Sequence, residues 1–318
     1  MQAPSQGLGW RRENKASQRR MTLRIFEVCW NDGSYSKAEP AFTALDWRHN
    51  PQPDLREFAV FRELHARGDT RRFGITGAFS PKFAAKTGVS GSEFIQWVDR
   101  NPGYDFYYVS PRPHYPIFYF NGWTQSSHKY GERFLTSAKE IIELAGYDPD
   151  AWIGLREDFA NSFYMNFWIA KECFWDRFLC VIDDILSVDR KRLLPETQSF
   201  LFEKRNWRAP NQLPITLITI VLERVVTSYA IADRSLKKLA YPATLERIKY
   251  CCRNPAEWEL YRSFAPVAAR FDAHGLADSE VGKTYFDMAG RAVAAVSLLY
   301  TQNFGHPHGD GPNMDPYT

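Results

Sequence analysis

Residues 72–128 read RFGITGAFSPKFAAKTGVSGSEFIQWVDRNPGYDFYYVSPRPHYPIFYFNGWTQSSH, and this stretch decides the fold class. An apolar strand is expected at 73–76 and a second one at 104–109. Between them, a polar loop over 77–86 leads into a helix that begins in the Ser-Gly-Ser of 90–92. A strand, a loop, a helix and a strand at this spacing predict a βαβ unit in a mostly parallel sheet.

The segments around this unit add elements of both kinds. Residues 23–30 alternate and favour β structure, so they predict the first strand, whereas 40–54 are irregular. Residues 55–67 repeat apolar side chains at helical spacing and predict an amphipathic helix. Residues 159–170 are typical of a buried strand or an extended stretch, and 236–250 of a hairpin arm or a further helix. The fold class that follows is α/β.

Composition divides the chain into four segments. Residues 1–20 carry scattered basic side chains and no apolar run, so they predict a disordered basic tail. Residues 21–235 hold the predicted α/β domain, and 236–302 form a helical C-terminal extension. Residues 303–318 are rich in Gly and Pro and predict a disordered tail.

Charge and cysteine content narrow the function classes. The chain has 40 lysines and arginines against 37 aspartates and glutamates, a formal net charge of +3, which argues against a nucleic-acid partner. Its five cysteines show no metal-ligand spacing, so we expect reduced thiols in a cytoplasmic protein. We expect neither a signal peptide nor a membrane-spanning helix. The basic tail leaves open a peripheral contact with anionic lipid.

Polar and aromatic side chains follow the predicted strands, where ligands bind in open α/β sheets. Asn31 and Asp32 come after the first strand, and they either contact the base and ribose of a nucleotide or form a turn. The loops after the next two strands are ordinary polar loops or a site for sugars and phosphates. Their candidate side chains are Ser80, Lys82, Lys86, Arg112, Asn121, Trp123, Gln125 and His128.

A charged pair interrupts the apolar helix predicted at 215–232. Glu223 and Arg224 stand within ITIVLERVVTSYA, where a charge is costly unless it is paired or bound. The pair therefore forms an internal salt bridge that anchors the helix, or one of its members lines the site. The sequence contains no GxGxxG, Walker, HExxH, CxxC or GxSxG motif that would decide between these alternatives.

Four segments in order resemble a family of glycosyltransferases from bacterial capsule and O-antigen gene clusters. They are REFAVFRELHARGDTRRFGITGAFSPKF, EFIQWVDRNPGYDFYYVSPRPHY, NSFYMNFWIAKECFWDRFLCVIDDIL and ITIVLERVVTSYA, all within residues 22–232. The resemblance implies a GT-A-like, Rossmann-type fold with helices on both faces of the sheet. It also implies transfer of a sugar from a nucleotide-sugar donor to a glycan or lipid-linked acceptor, in the cytoplasm or at the inner membrane face.

Position by position, the resemblance aligns Glu57 with the first glutamate of the family pattern and residues 74–83 with a strand and its basic loop. Glu223 and Arg224 align with the fourth block. The chain departs from the pattern in the basic loop, where residues 77–82 replace an arginine pair. Other cations are then needed to neutralise a diphosphate.

The implied reaction needs neutralised phosphates, a proton acceptor and a platform for a sugar ring. No Asp-x-Asp follows a predicted strand, and Asp105 stands at the start of a strand instead of its end. We therefore assign no metal ion. If the reaction uses Mn²⁺ or Mg²⁺, Asp105 is the residue assigned to bind it. The remaining assignments are Lys82, Lys86, Arg112 and Arg224 for the donor, Asp158, His128 or Glu223 as the base, and Trp123, Gln125, Asn121 and Asn166 for the sugar.

Two rival functions stay open. A noncatalytic carbohydrate- or nucleotide-binding protein predicts ligand binding without turnover, and the missing Asp-x-Asp and arginine pair favour it. A scaffold subunit of a polysaccharide synthesis complex predicts no nucleotide binding and an exposed apolar surface on the C-terminal helices.

Overall fold

The computed structural model describes residues 22–205 and 214–304, with a six-stranded sheet at the centre. The spatial order of the strands is β2-β1-β3-β5-β4-β6, and all run parallel except β5, which is antiparallel to both of its neighbours. The chain is therefore α/β with a mostly parallel, mixed sheet, as the sequence predicts. The strands are β1 (Leu23–Cys29), β2 (Thr43–Asp46), β3 (Ile75–Phe79), β4 (Phe106–Tyr108), β5 (Trp168–Ala170) and β6 (Lys238–Ala240).

The helices connect these strands and form a C-terminal lobe. The predicted helix start at 90–92 is confirmed, because the Ser90 side chain accepts a hydrogen bond from the Glu93 amide at 3.2 Å. In the described part of the chain the helices are α1 (Asp32–Ser36), α2 (Glu57–Ala66), α3 (Asp69–Arg72), α4 (Phe83–Thr87), α5 (Gly91–Arg100), α6 (Tyr115–Phe118), α7 (Gly122–Tyr130), α8 (Arg133–Leu144), α9 (Asp150–Ile153), α10 (Glu172–Ser187), α11 (Pro195–Phe202), α12 (Ile218–Ala232), α13 (Leu245–Cys251), α14 (Pro255–Ala273) and α15 (Glu280–Phe304).

Both faces of the sheet pack against helices. Successive strand residues point to opposite faces, so each strand contributes to two cores. Phe106 and Trp168 belong to the core shared with α2, α10 and α12. Tyr107 and Ile169 belong to the core on the other face, which α4 and α5 cover. Helices on both faces of the sheet were expected, and the structure confirms them.

β3 begins and ends later than the sequence predicts. It spans Ile75–Phe79 instead of 73–76, so Gly77, assigned to a loop from sequence, is a buried sheet residue. Pairing with β1 explains the difference, because Ile75–Phe79 lie opposite Leu23–Glu27 residue by residue. On the other side, β5 approaches so closely that a Cβ on Gly77 would lie only 2.4 Å from the carbonyl oxygen of Trp168. β5 also separates β3 from β4, so the strands of the predicted βαβ unit are not adjacent.

Other elements also differ from the prediction. β2 lies within the stretch 40–54 that was expected to be irregular. Only Trp168–Ala170 forms a strand within 159–170. These strands are short and pair with few residues, so tertiary contacts rather than a long local pattern define them.

The C-terminal segment begins inside the sheet. β6 lies in the predicted helical extension but pairs with β4, so the sheet continues past residue 235. α15 runs through Phe304, two residues into the predicted tail of 303–318. Residues 1–20, predicted as a tail, and the rest of the C-terminal tail lie outside the described residues. Within the described ranges, no helix has both the length and the apolarity needed to cross a membrane.

The amino edge of the sheet is held by Asp105. Its Oδ1 lies 2.7 Å from Lys171 Nζ, and its Oδ2 accepts a hydrogen bond from the Lys237 amide at 3.1 Å. This carboxylate therefore ties the start of β4 to the end of β5 and the start of β6. Burial disfavours its charge, but the Lys171 ammonium and the Lys237 amide outweigh burial and lower the pKa of Asp105 below its usual value.

We expect Asp105→Asn to reduce the free energy of unfolding at pH 7 by about 1–3 kcal/mol, because it removes a charge-assisted hydrogen bond. A carboxyl group with a lowered folded pKa contributes stability above its unfolded pKa of about 4 and loses it as pH falls through the folded pKa. The difference between wild type and variant should therefore shrink below about pH 4. Urea unfolding at pH 3 to 7 measures this difference.

The exposed Asp99 on α5 provides the control. Asp99→Asn should leave the free energy of unfolding nearly unchanged across the same pH range. A pH-independent loss in Asp105→Asn would contradict the role assigned to the Asp105 charge.

The C-terminal helices form a second core that packs on α6. Tyr115 and Phe118 of α6 are buried against Phe286 of α15 and neighbouring side chains of α14. A fully buried polar pair joins the same elements, since His114 Nε2 lies 3.2 Å from Glu257 Oε1. The C-terminal lobe of α14 and α15 is thereby attached to the segment that follows the carboxyl end of β4.

Candidate functional site

A cavity opens at the carboxyl edge of the sheet beside β1. β2 lies on one side of β1 and β3 on the other, so the connections that follow β1 and β2 run in opposite directions. In open α/β sheets this reversal leaves a crevice beyond the strand ends, and ligands bind there. The cavity has a volume of about 430 Å³, within the range of small-molecule sites. We call it the switch-point cavity.

Three strand ends and the start of α2 form its walls. Trp30 follows β1, Trp47 follows β2, and Ser80 follows β3. Apolar and aromatic surface therefore surrounds a small number of polar groups, as in most ligand sites. The described residues that line the cavity are Val28, Trp30, Trp47, Asn50, Pro53, Asp54, Arg56, Glu57, Val60, Ser80, Lys204, Pro214 and Ile215.

Two cations and two carboxylates are among these residues. Lys204 Nζ lies 2.7 Å from Asp54 Oδ1. Arg56 precedes α2 with φ 51° and ψ −129°, a conformation uncommon for a residue other than glycine. Glu57 is the first residue of α2, a ten-residue helix whose N-terminal amides favour negative ligand groups. The lining can thus bind hydroxyl groups and anionic groups in one cavity.

Asn31 and Asp32 follow Trp30 in the chain, but neither lines the described part of the cavity. The Asn31 side chain accepts a hydrogen bond from the Ser34 amide at 2.7 Å and caps α1. Asp32 forms an exposed ion pair with Arg48 at 2.5 Å. Local structure rather than a nucleotide contact therefore accounts for both side chains, and a short helix replaces the alternative turn.

The three cations predicted to neutralise a diphosphate lie apart from the described cavity lining. Lys82 is buried just before α4. Lys86 Nζ lies 3.7 Å from the sulfur of Met165, at the same edge of the sheet. Arg112 donates a hydrogen bond to the Cys251 carbonyl at 2.6 Å and so connects the segment after β4 to α13.

The predicted sugar platform is part of the protein interior. Trp123 is fully buried, and its Nε1 donates to Ser228 Oγ at 2.8 Å. Asn121 caps α7 and donates to two backbone carbonyls, at 2.7 and 2.9 Å. Gln125 accepts a hydrogen bond from the Tyr164 hydroxyl at 2.8 Å. These three side chains position α7 and do not face the switch-point cavity.

Arg224 is likewise buried, and its contacts favour the structural alternative for the Glu223-Arg224 pair. Its Nε donates to Ser126 Oγ at 2.8 Å, and its guanidinium lies 4.2 Å from the ring centre of Tyr164. Glu223 Oε2 lies 3.9 Å from Arg224 Nη2. The pair anchors α12 beside α7, away from the described lining of the cavity.

The other candidates occupy separate places. Asp158 accepts a hydrogen bond from the Ala160 amide at 2.8 Å within a turn. His128 Nε2 lies 3.1 Å from Asp287 Oδ1 and lines a second cavity, of about 400 Å³, bordered by α7, α9 and α15. Asn166 is buried, with its Oδ1 3.4 Å from Trp168 Nε1. None of the three alternative bases, Asp158, His128 and Glu223, lines the described part of the switch-point cavity.

The position of Asp105 does not suit the binding of Mn²⁺ or Mg²⁺ for which the sequence made it the candidate. Its carboxylate bonds to the Lys171 ammonium, and it lies at the amino edge of the sheet, whereas the switch-point cavity lies at the carboxyl edge. Among residues 22–205 and 214–304, no three His, Cys, Asp or Glu side chains are grouped so that they could hold a metal ion.

Sequence reasoning names Ser80 among the polar side chains of the loop after β3, and the resemblance aligns Glu57 without giving it a role, but most of the cavity lining is missed. Trp47 and Asp54 lie in the stretch that was expected to be irregular, and Lys204 lies far away in the chain. Trp47 follows β2, where ligand-binding residues are expected, but that strand was not predicted and so its end could not identify Trp47 from the sequence. Nothing local in the sequence points to Lys204.

No protein-family model, no curated protein and no solved structure matches this chain. What the site can do is therefore inferred from its own residues.

Proposed function

We propose that the protein is a glycosyltransferase that binds a nucleotide-sugar donor in the switch-point cavity. The acceptor is a glycan or lipid-linked precursor of a bacterial surface polysaccharide, and the sheet belongs to the GT-A-like class. The observation that carries the proposal is the position of the cavity, at the carboxyl edge of a mostly parallel sheet where the strand order reverses.

The lining supports each part of such a donor. Trp30 and Trp47 offer flat apolar surface for a base or a sugar ring. Lys204 and the N-terminus of α2 supply positive charge for a diphosphate, in place of the more distant Lys82, Lys86 and Arg112. Ser80 and Asn50 add hydrogen-bonding groups.

The transfer step places one further requirement on the site. The acceptor hydroxyl forms a bond to the anomeric carbon, the bond to the nucleoside diphosphate breaks, and the hydroxyl proton passes to a base. Asp158, His128 and Glu223 do not line the described part of the cavity. Asp54 and Glu57 are carboxylates that do line it, and Asp54 is paired with Lys204.

A thermal-shift screen tests the proposal, using nucleoside diphosphates and nucleotide sugars with and without Mn²⁺. A ligand at one hundred times its dissociation constant adds about 2.7 kcal/mol to the free energy of unfolding. We expect one nucleotide family to raise the melting temperature. We also expect Lys204→Gln to weaken binding of that ligand about tenfold, a loss of about 1.4 kcal/mol.

Lys191→Gln is the matched control, because Lys191 is an exposed lysine in the turn Arg190–Arg192. The control should bind as wild type does. Release of nucleoside diphosphate in the presence of lipid-linked oligosaccharides then measures turnover. Binding without release would favour the noncatalytic binding protein, and no shift with any nucleotide would favour the scaffold subunit.

A further inference from the structure

The outer face of α15 carries an apolar stripe that faces solvent in the described part of the chain. Val281, Met288 and Leu299 are 69, 58 and 57% exposed, and Ala292 and Ala295 lie between the last two along the helix. At 3.6 residues per turn, these five side chains fall within about 60° of one another around the helix axis. Contiguous exposed apolar surface of this kind marks an interaction site.

The C-terminal part of α15 extends past its own core. Its inner face is buried against α14 and α6 through Tyr285, Phe286 and Val293. Among residues 294–303, none of the side chains that the structure describes is buried. A short helical segment without packing is marginal in water, because most helical stability in proteins comes from tertiary contacts. The end of α15 therefore calls for a partner.

The pattern of the stripe favours another helix as this partner. From Met288 to Leu299 the apolar side chains follow one another at intervals of four, three and four residues, the spacing of a coiled-coil seam. Charged side chains of both signs flank the seam, so no basic face favours an anionic lipid surface. Residues 305–318 are rich in Gly and Pro and do not supply a second helix.

The stripe is complementary in size to a second copy of itself. When two copies of α15 run antiparallel about a twofold axis at the level of Gly290, Met288 lies opposite the partner's Ala292. At each end of the pair, Val281 lies opposite the partner's Leu299. Large side chains then meet small ones at the centre, whereas a parallel pair would place Met288 against the partner's Met288.

The charges beside the seam are complementary in the same arrangement. Asp287 and Arg291 form an exposed ion pair within α15, with Oδ2 and Nε 2.8 Å apart. In the antiparallel pair, Asp287 lies about 3 Å along the axis from the level of the partner's Arg291, so the ion pairs extend across the interface. A parallel pair would instead bring each charge level with its own copy.

We infer that α15 is a dimerisation helix, which pairs antiparallel with α15 of a second copy of this chain. The pairing is isologous, since the same surface serves both protomers. It goes beyond the proposed function, because it depends on neither the switch-point cavity nor its ligand. A scaffold subunit also predicts exposed apolar surface on the C-terminal helices, but that surface would remain free in the isolated protein.

Sedimentation equilibrium of the full chain tests the inference. One helix pair buries less than a standard interface, so we expect a reversible monomer–dimer equilibrium between about 1 and 100 µM. Met288→Glu should raise the dissociation constant by about tenfold or more, because it places two carboxylates in the seam. Leu245→Glu is the control, since Leu245 is equally exposed, at 66%, but lies on α13; this variant should dimerise as wild type does.

Charge reversal tests the antiparallel direction. Arg291→Asp should weaken the dimer about tenfold, because it gathers four carboxylates near the twofold axis. The double variant Asp287→Arg and Arg291→Asp should restore it, because the same pairs form with opposite signs. Each of these substituted positions is exposed, so the melting temperature of the monomer should stay close to that of wild type.

Three results would overturn the inference. A monomer at every concentration would leave the stripe to another partner, as the scaffold subunit requires. A dimer that Met288→Glu does not weaken would form through a different surface. A dimer that the double charge reversal fails to restore would not have the antiparallel pairing.

Discussion

Replacing Arg224 with methionine is expected to lower the free energy of unfolding by about 3–5 kcal/mol, because it removes a buried guanidinium whose charge, together with that of Arg156, favours the ionised form of the buried Glu157 carboxyl group. Arg224 and Glu157 are both buried, and both lie against Gly122. Glu157 accepts hydrogen bonds from the Gly122 amide at 2.9 Å and from Ser162 Oγ at 3.1 Å. Equilibrium unfolding in urea measures the loss.

The pH dependence of this loss has a definite sign. Burial raises the pKa of Glu157, while the Gly122 amide and Arg224 act against that rise. Without Arg224 the folded pKa rises further. A carboxyl group with a raised folded pKa opposes folding increasingly as pH rises from its unfolded to its folded pKa. A further rise of the folded pKa extends this range upward, so the loss should be larger at pH 8 than at pH 5.

Arg262→Met is the matched control for this variant. Arg262 is also a helical arginine with an acidic neighbour, but its ion pair with Glu259 on α14 is exposed. Removing an exposed pair should cost less than about 1 kcal/mol. Equal losses in the two variants would show that the charge of Arg224 does not stabilise the interior.

Replacing Gly77 with alanine is expected to lower the free energy of unfolding by about 3 kcal/mol, because the centre of the sheet has no room for a methyl group. The added Cβ would lie 2.4 Å from the Trp168 carbonyl oxygen and 2.6 Å from Ile169 Cγ2. β5 would have to move, and Trp168 would move with it. Its ring packs against Trp175, with ring centres 4.6 Å apart. Urea unfolding and near-ultraviolet circular dichroism report both effects.

Gly33→Ala separates this steric effect from the general effect of adding a methyl group to glycine. Gly33 lies in α1, and a Cβ there would be 3.4 Å from Asn31 Oδ1, an ordinary contact. Alanine also favours the helix, so this variant should be neutral or slightly stabilising. A neutral Gly77→Ala would show that β5 does not approach β3 as closely as described.

The sequence predicts the regular elements whose patterns are long and local. Residues 55–67 indicate α2 because their apolar side chains repeat at helical spacing, and the serines at 90 and 92 indicate the start of α5, which Ser90 caps. Residues 23–30 indicate β1 through alternation and β propensity. These signals depend on neighbouring residues alone, so they can be recognised in the sequence without knowledge of the fold.

The candidate site depends instead on contacts between distant segments. Trp123, Asn121 and Gln125 have the chemistry of a sugar-binding platform, but their hydrogen bonds to α9, α12 and Tyr164 are long-range and hold them in the interior. Burial decides whether a polar or aromatic side chain serves the core or a ligand, and burial is a property of the packed chain.

The sequence by itself therefore determined the α/β class and the mostly parallel sheet, because strand and helix patterns act locally. Helices on both faces of the sheet were implied by the family resemblance and not by local periodicity. Only the tertiary structure decided which side chains share the switch-point cavity. Trp47 and Glu57 both line it because β2 pairs with β1 and α2 begins at the same edge, and Lys204 lines it from a distant segment of the chain. Spatial proximity between such positions arises from strand pairing and packing, which local sequence patterns do not encode.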